Sequence, residues 1–210
     1  MRRVLVPILA LLAVGLASAS ECDNPFSPVE ASWQWTYRTT SGDAYTVVRV
    51  PTGPKGFSET STSPNAPGTR TYACSAGEQS PKTANIVIPG FDVTVLAARG
   101  TAIAAPSKWA VGESWSYTMD LEATLQGLLP LKGAGQMTVT FRVVAQQRTE
   151  VPAGTFEAFK VEVTRDLSGR AGFIPFRRIV KQTSYYAPGV GMIREETERG
   201  VAELSKLHKN

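Results

Sequence analysis

The chain has 210 residues, 42% of them hydrophobic and 19% charged, so it can bury a core and does not read as a disordered tail. Its formal charge of +4 falls to +2 once Arg2 and Arg3, which stand in a segment expected to be removed, are set aside. That charge is small and evenly spread and makes no case for nucleic acid or an anionic membrane face. One histidine and two cysteines exclude most His- and Cys-based metal sites and the usual His-dependent triads, so neither metal nor cofactor is expected.

Arg2 and Arg3 open a positive segment, Val4 to Leu16 is apolar, and Ala17-Ser18-Ala19 offers a small-x-small cleavage pattern. Residues 1–19 therefore read as a signal peptide and 20–210 as one β domain. The competing readings are an uncleaved anchor and a lipoprotein acylated at Cys22, against which Glu21 stands where a small residue is needed. No later stretch is long and apolar enough to span a bilayer, and the expected location is secreted or periplasmic. In an oxidising compartment the one cysteine pair, Cys22 and Cys74, favours a structural disulfide, whereas a catalytic dithiol wants closer spacing.

The patterning that follows has period two. Trp33, Trp35 and Tyr37 alternate with polar residues and predict a half-buried strand, followed by a turn at Ser41-Gly42-Asp43 and a second strand from Ala44 to Val50. Pro51 to Gly56 and Ser58 to Thr71 read as surface loops around one short strand near Phe57. Further strands are expected at Arg70 to Ser75, Ile86 to Ile88 and Phe91 to Ala97. Ala102 to Pro106 reads as a connector. Alternation resumes from Gly112 through Trp115, Tyr117, Met119, Leu121, Ala123 and Leu125. It returns at Gln136 to Ala145, Phe156 to Val163, Ile174 to Tyr186, Gly191 to Glu198 and Val201 to Leu207. Around ten strands and almost no helical period predict an all-β fold, a curved antiparallel sheet or half-barrel. Trp33 to Tyr37 and Trp115 to Met119 share a five-residue pattern, which suggests two related lobes, 24–101 and 107–207, or two strands that merely look alike.

Catalytic constellations are sparse. His208 is third from the end of the chain, where a frayed tail is expected, and no Gly-x-Ser-x-Gly elbow exists. Asp120 and Glu122 are predicted to share one strand face, as are Glu196 and Glu198, at a spacing that suits a glycosidase pair or a plain solvated surface. Two apolar stretches lie in loop-like contexts: Leu128, Leu129 and Leu131 between glycines, and Phe173, Ile174 and Phe176 after Gly172. They either cover the core, form the mouth of an apolar site, or touch a protein or membrane.

Several phrases carry a resemblance. Val151-Pro152-Ala153-Gly154-Thr155-Phe156, with Ala158, Lys160 and Val161, resembles the VPAGTF-x-A-x-K-V phrase of a broad, largely uncharacterised group of exported bacterial β-proteins. Tyr186-Ala187-Pro188-Gly189-Val190-Gly191 is similar to their YAPGVG phrase, and Gly112 to Tyr117 to their G-x-x-W-x-Y opening. Phe26-Ser27-Pro28 leading to Trp33 resembles their start, with Ala31 where glycine is usual. The resemblance implies a half-barrel like that of periplasmic lipoprotein carriers and brings no catalytic residues.

The resulting expectation is an exported, non-enzymatic envelope protein. It binds an apolar ligand, lipid or protein partner, or acts structurally, with Trp33, Trp35, Trp115 and Tyr117 lining the concave face or core. Leu128, Leu129, Leu131, Phe173 and Phe176 form its rim. The competing expectation is a carbohydrate-active hydrolase using Asp120 and Glu122.

Overall fold

The computed structural model describes residues 20–64, 67–83, 91–125 and 131–209. The expected signal peptide, the strand at Ile86 to Ile88, and Leu128 and Leu129 lie outside these residues. Among the described residues twelve antiparallel strands form one sheet: β1 (Trp33–Thr39), β2 (Ala44–Gly53), β3 (Gly56–Ser61), β4 (Gly68–Ser75), β5 (Glu78–Thr83), β6 (Phe91–Gly100), β7 (Ser114–Leu125), β8 (Leu131–Val151), β9 (Gly154–Ala171), β10 (Ile174–Ala187), β11 (Gly191–Thr197) and β12 (Gly200–Lys209). The order across the sheet is β5-β4-β3-β2-β1-β12-β11-β10-β9-β8-β7-β6. The sheet curls until its two ends nearly meet, so the all-β, curved antiparallel expectation holds.

Closure is made by the segment after β6. Gln79 of β5 exchanges backbone hydrogen bonds with Ile103 and accepts one from Ala102, while Thr101 N donates to Ser116 O on β7. The short 3-10 turn Pro106–Lys108 then carries Trp109 into the interior. Residues 20–28 plug this end. The buried Asn24 amide donates to the carbonyls of Gly77 and Ala104, both at 2.8 Å, and Phe26 stacks on Trp109 at 4.1 Å. The Cys22 and Cys74 sulfurs are 2.05 Å apart, at bonding distance, and tie the plug to β4.

Among the described residues a small buried cluster joins Cys22 and Cys74 to Phe57, and two larger ones fill the interior. One joins Trp35, Tyr37, Tyr45 and Val47 to Ile193 and Leu204, and takes in Val151 and Ala158 near the β8–β9 turn. The other joins Phe26 and Trp109 to Val139, Phe141, Val143, Val161 and Val163.

Several expectations are corrected. The short strand expected near Phe57 is β3, but the segments on either side read as loops hold the end of β2, the rest of β3 and the start of β4. β5, of sequence Glu-Gln-Ser-Pro-Lys-Thr, has no apolar alternation and was not expected; it lies at an end of the sheet, where its Pro81 is tolerated. β8 and β9 run 21 and 18 residues, well beyond the apolar runs that predicted them, because hydrogen bonding on both sides extends their polar and glycine-rich halves. The last residues are not frayed: His208 sits in β12 opposite Gln34, with its side chain exposed.

Candidate functional site

Residues directly opposite on neighbouring antiparallel strands share a face of the sheet. The register therefore reads out the inner surface of β6–β10 row by row. At the base Trp115, Phe141, Val163 and Gln182 stand in line, and above them Tyr117, Val139, Arg165 and Val180. Next come Ala98, Met119, Met137, Leu167 and Arg178, then Val95, Leu121, Gly135, Gly169 and Phe176, then Val93, Ala123, Gly133, Ala171 and Ile174. The upper rows make an apolar trough with Arg178 at one margin. Met119 and Leu121 are buried, whereas Val93, Val95, Ala123, Met137 and Leu167 are only half-buried. The floor is glycine because the strands approach closely: a Cβ on Gly169 would lie 2.4 Å from the Ala134 carbonyl and 3.0 Å from the Phe176 ring.

Facing the trough's lower end is a charged band that the sequence reading passed over. Glu59 bonds Arg49 at 2.9 Å and lies 3.6 Å from Arg70, with all three side chains largely buried. The Arg49 guanidinium also lies 4.9 Å over the Trp35 ring and donates to Pro28 O. Across the interior Arg165 donates to the Gln182 amide oxygen, and the Gln182 amide nitrogen donates to Glu195 at 2.8 Å. Three arginines against two carboxylates leave a net positive interior. Burial is the largest influence on Arg49 and opposes its charge, but the charge and hydrogen bond of Glu59, with the Tyr37 and Tyr72 phenols, together outweigh it and hold the guanidinium above its ordinary value. Burial pushes the phenols of Tyr37, Tyr45, Tyr72, Tyr117 and Tyr186 above their ordinary value.

Strand parity signals this band. Arg49 follows Tyr45 and Val47 on one face, Glu59 follows Phe57, and Arg70 precedes Tyr72 and Cys74. Reading the middle of the chain as loop hid it.

The four aromatic residues expected on the concave face or in the core fall in two buried clusters. Trp33 and Trp35 belong to the β1–β2–β11–β12 cluster, and Trp35 is 1% exposed with its indole donating to Val190 O at 2.7 Å. Trp115 and Tyr117 pack on Phe141 in the second cluster, and Tyr117 lies next to the trough. Leu131 opens β8 opposite Leu125 at the far end of the sheet, beside the hairpin carrying Phe173 and Phe176. Phe173 is 89% exposed and Phe176 40%, so this stretch does not fold over the core.

Asp120 and Glu122 share the outer face, opposite the trough. Asp120 is engaged by Gln136 at 3.0 Å and Arg99 at 2.8 Å, which hold its carboxyl below the usual carboxylate range and suit it poorly to donate a proton. Glu198 lies in the turn after β11 and does not continue the face of Glu196, which is bonded to Arg194 at 2.9 Å. An open groove of about 370 Å³ runs over β9, β10 and β11 past Glu162, Lys181 and Glu196. Among the described residues no group of three or more His, Cys, Asp and Glu side chains is placed to hold a metal ion.

Fold and interior together define an antiparallel, nearly closed β-sheet with a packed base and an apolar upper face. The chain belongs to the DUF3108-like family, whose model matches residues 87–204. Among solved structures it is similar to a Bacteroides fragilis protein with a YmcC-like fold, assigned as exported: 16% identity, TM-score 0.52, covering 88% of this chain and 99% of that one. A Parabacteroides distasonis protein assigned as a lipoprotein is similar at 18% identity and TM-score 0.50, covering 87% of this chain and 97% of that one. No curated protein matches the chain. Among the described residues no helix is long and apolar enough to cross a membrane.

Proposed function

We propose that this chain is an exported envelope protein that works by binding rather than by catalysis, and that its ligand is an apolar or amphiphilic molecule such as a lipid. One observation carries the reading: the inner rows from Met119 to Ile174 form an apolar surface, part of it half-exposed, ending in a glycine and alanine floor. The charged band around Arg49, Arg70 and Arg165 gives the lower end of the trough a place for a polar or anionic head. Export is supported by the N-terminal pattern and by the exported and lipoprotein assignments of the two similar structures.

Native mass spectrometry of protein purified gently from its host tests this. The expected result is a bound species that leaves on delipidation and returns on incubation with a lipid extract. Clean apo mass before and after that incubation contradicts the reading.

A further inference from the structure

The tip of the β9–β10 hairpin carries a second feature, adjoining the trough whose last row takes in Ile174. Gly172 and Phe173 make its two-residue turn, with Gly172 at φ 61°, and Gly172 N donates to Lys132 O on β8 at 3.0 Å. The tip is therefore a tied hairpin. Yet Phe173 is 89% exposed, Ile174 58% and Ile179 52%, values at which apolar side chains usually mark a contact surface.

Charge sits immediately behind the tip. Lys132, Arg170, Arg177, Arg178 and Lys181 are all exposed. The sequence has no Asp or Glu between Leu167 and Arg194, nor between Ala123 and Thr149. The carboxylates nearby are Asp166, engaged by Arg177, Asp92, Asp120 and Glu122 on β6 and β7, and Glu162 and Glu196, which share a groove with Lys181. The evenly spread overall charge thus conceals a local cationic collar.

Its arrangement selects the partner. Apolar and cationic residues alternate on both faces of β10: Ile174, Phe176 and Arg178 on one, Arg177, Ile179 and Lys181 on the other. A protein-docking patch gathers its apolar residues on one side with charge at the rim. A prong with an apolar end and cations on both sides suits end-on entry into a headgroup layer. At about 3.3 Å per residue, Arg170 stands roughly 7 Å behind the tip, at the depth of the headgroups when the tip reaches the acyl boundary, and Arg178 roughly 16 Å, just outside them and within a Debye length of their charge.

We propose that the β9–β10 tip seats this protein on an anionic lipid bilayer, Phe173 and Ile174 entering the interface and the collar meeting lipid phosphates. Co-flotation of the chain from Ser20 onward with phosphatidylcholine vesicles, with and without phosphatidylglycerol, tests it. The expected result is binding to the anionic vesicles that falls with added salt. Phe173→Ser, in the turn outside the trough rows, weakens it about tenfold, and charge removal at Arg170 or Arg178 weakens it about fivefold each. The serine variant leaves the unfolding midpoint unchanged and leaves lipid uptake by the trough intact, so failure of this proposal and failure of the trough reading give different results. Absence of binding to anionic vesicles, equal binding to neutral ones, or binding indifferent to Phe173→Ser overturns it. A tip that crosslinks to an envelope protein but does not float with vesicles also overturns it, in favour of a protein partner.

Discussion

Gln79 is fully buried and joins three parts of the chain. It accepts a hydrogen bond from the Ser27 hydroxyl at 2.7 Å, donates to the carbonyls of Ser27 and Cys22, and pairs through its backbone with Ile103. Such a polar residue is retained inside because each of its groups is satisfied. Nothing in its strand, polar and broken by Pro81, announced that role, because its partners lie more than 20 residues away and only the closed sheet brings them together. Glu59 was better marked, since alternation from Phe57 places it inward. The tyrosines around it give a pH prediction. Their folded-state values are raised by burial, so unfolded chains lose these protons first as pH rises past the ordinary phenol value of about 10. The stabilisation is complete below that value and is lost above it. Denaturation midpoints are therefore expected to fall between about pH 9 and about pH 11, with tyrosinate absorbance rising as the protein unfolds. A flat midpoint across that window contradicts the buried placement of these phenols.

At the scale of elements, strands with a clean apolar face were legible and those without one were not. β1, β7 and β10 to β12 follow their alternation closely. β3 was marked only by Phe57 and β5 not at all; both are short, and they exist because neighbours supply their hydrogen bonds. The outer half of β9, Thr164 to Ala171, reads as polar and glycine-rich, yet it is paired on both sides, with β8 and with β10. The plug of residues 20–28 has no regular element at all, and its attachment rests on Asn24, Phe26 and the Cys22–Cys74 link. Closing a loop with a sequence separation of 52 is worth about 4 kcal/mol on the chain-entropy account. Replacing both cysteines by serine is expected to lower unfolding free energy by about that amount in urea titrations, with β-sheet circular dichroism kept. A loss below about 0.5 kcal/mol would mean that the plug docks without its tether.

At the scale of the molecule, β1 and β7, the two strands with matching aromatic patterns, occupy different places in one sheet. β1 is paired between β2 and β12, and β7 between β6 and β8. The all-β class was legible because alternation is a local property. The trough was not, because its floor residues Gly133, Gly135 and Gly169 look like loop residues in sequence and become a surface only when five strands align. The exposed tip was named from its composition, Phe173 and Phe176 after a glycine, but its exposure needed the folded chain.

The trough is the claim on which the functional account turns, and a titration of delipidated protein with a fluorescent fatty acid tests it most directly. Saturable binding is expected for the native chain. Ala123→Lys, which sets a charge between Val93 and Gly133, is expected to weaken it about tenfold or more while leaving the unfolding midpoint within about 1 kcal/mol of native stability. A native chain that shows no saturable binding, or a lysine variant that binds as well as the native chain, would contradict the account.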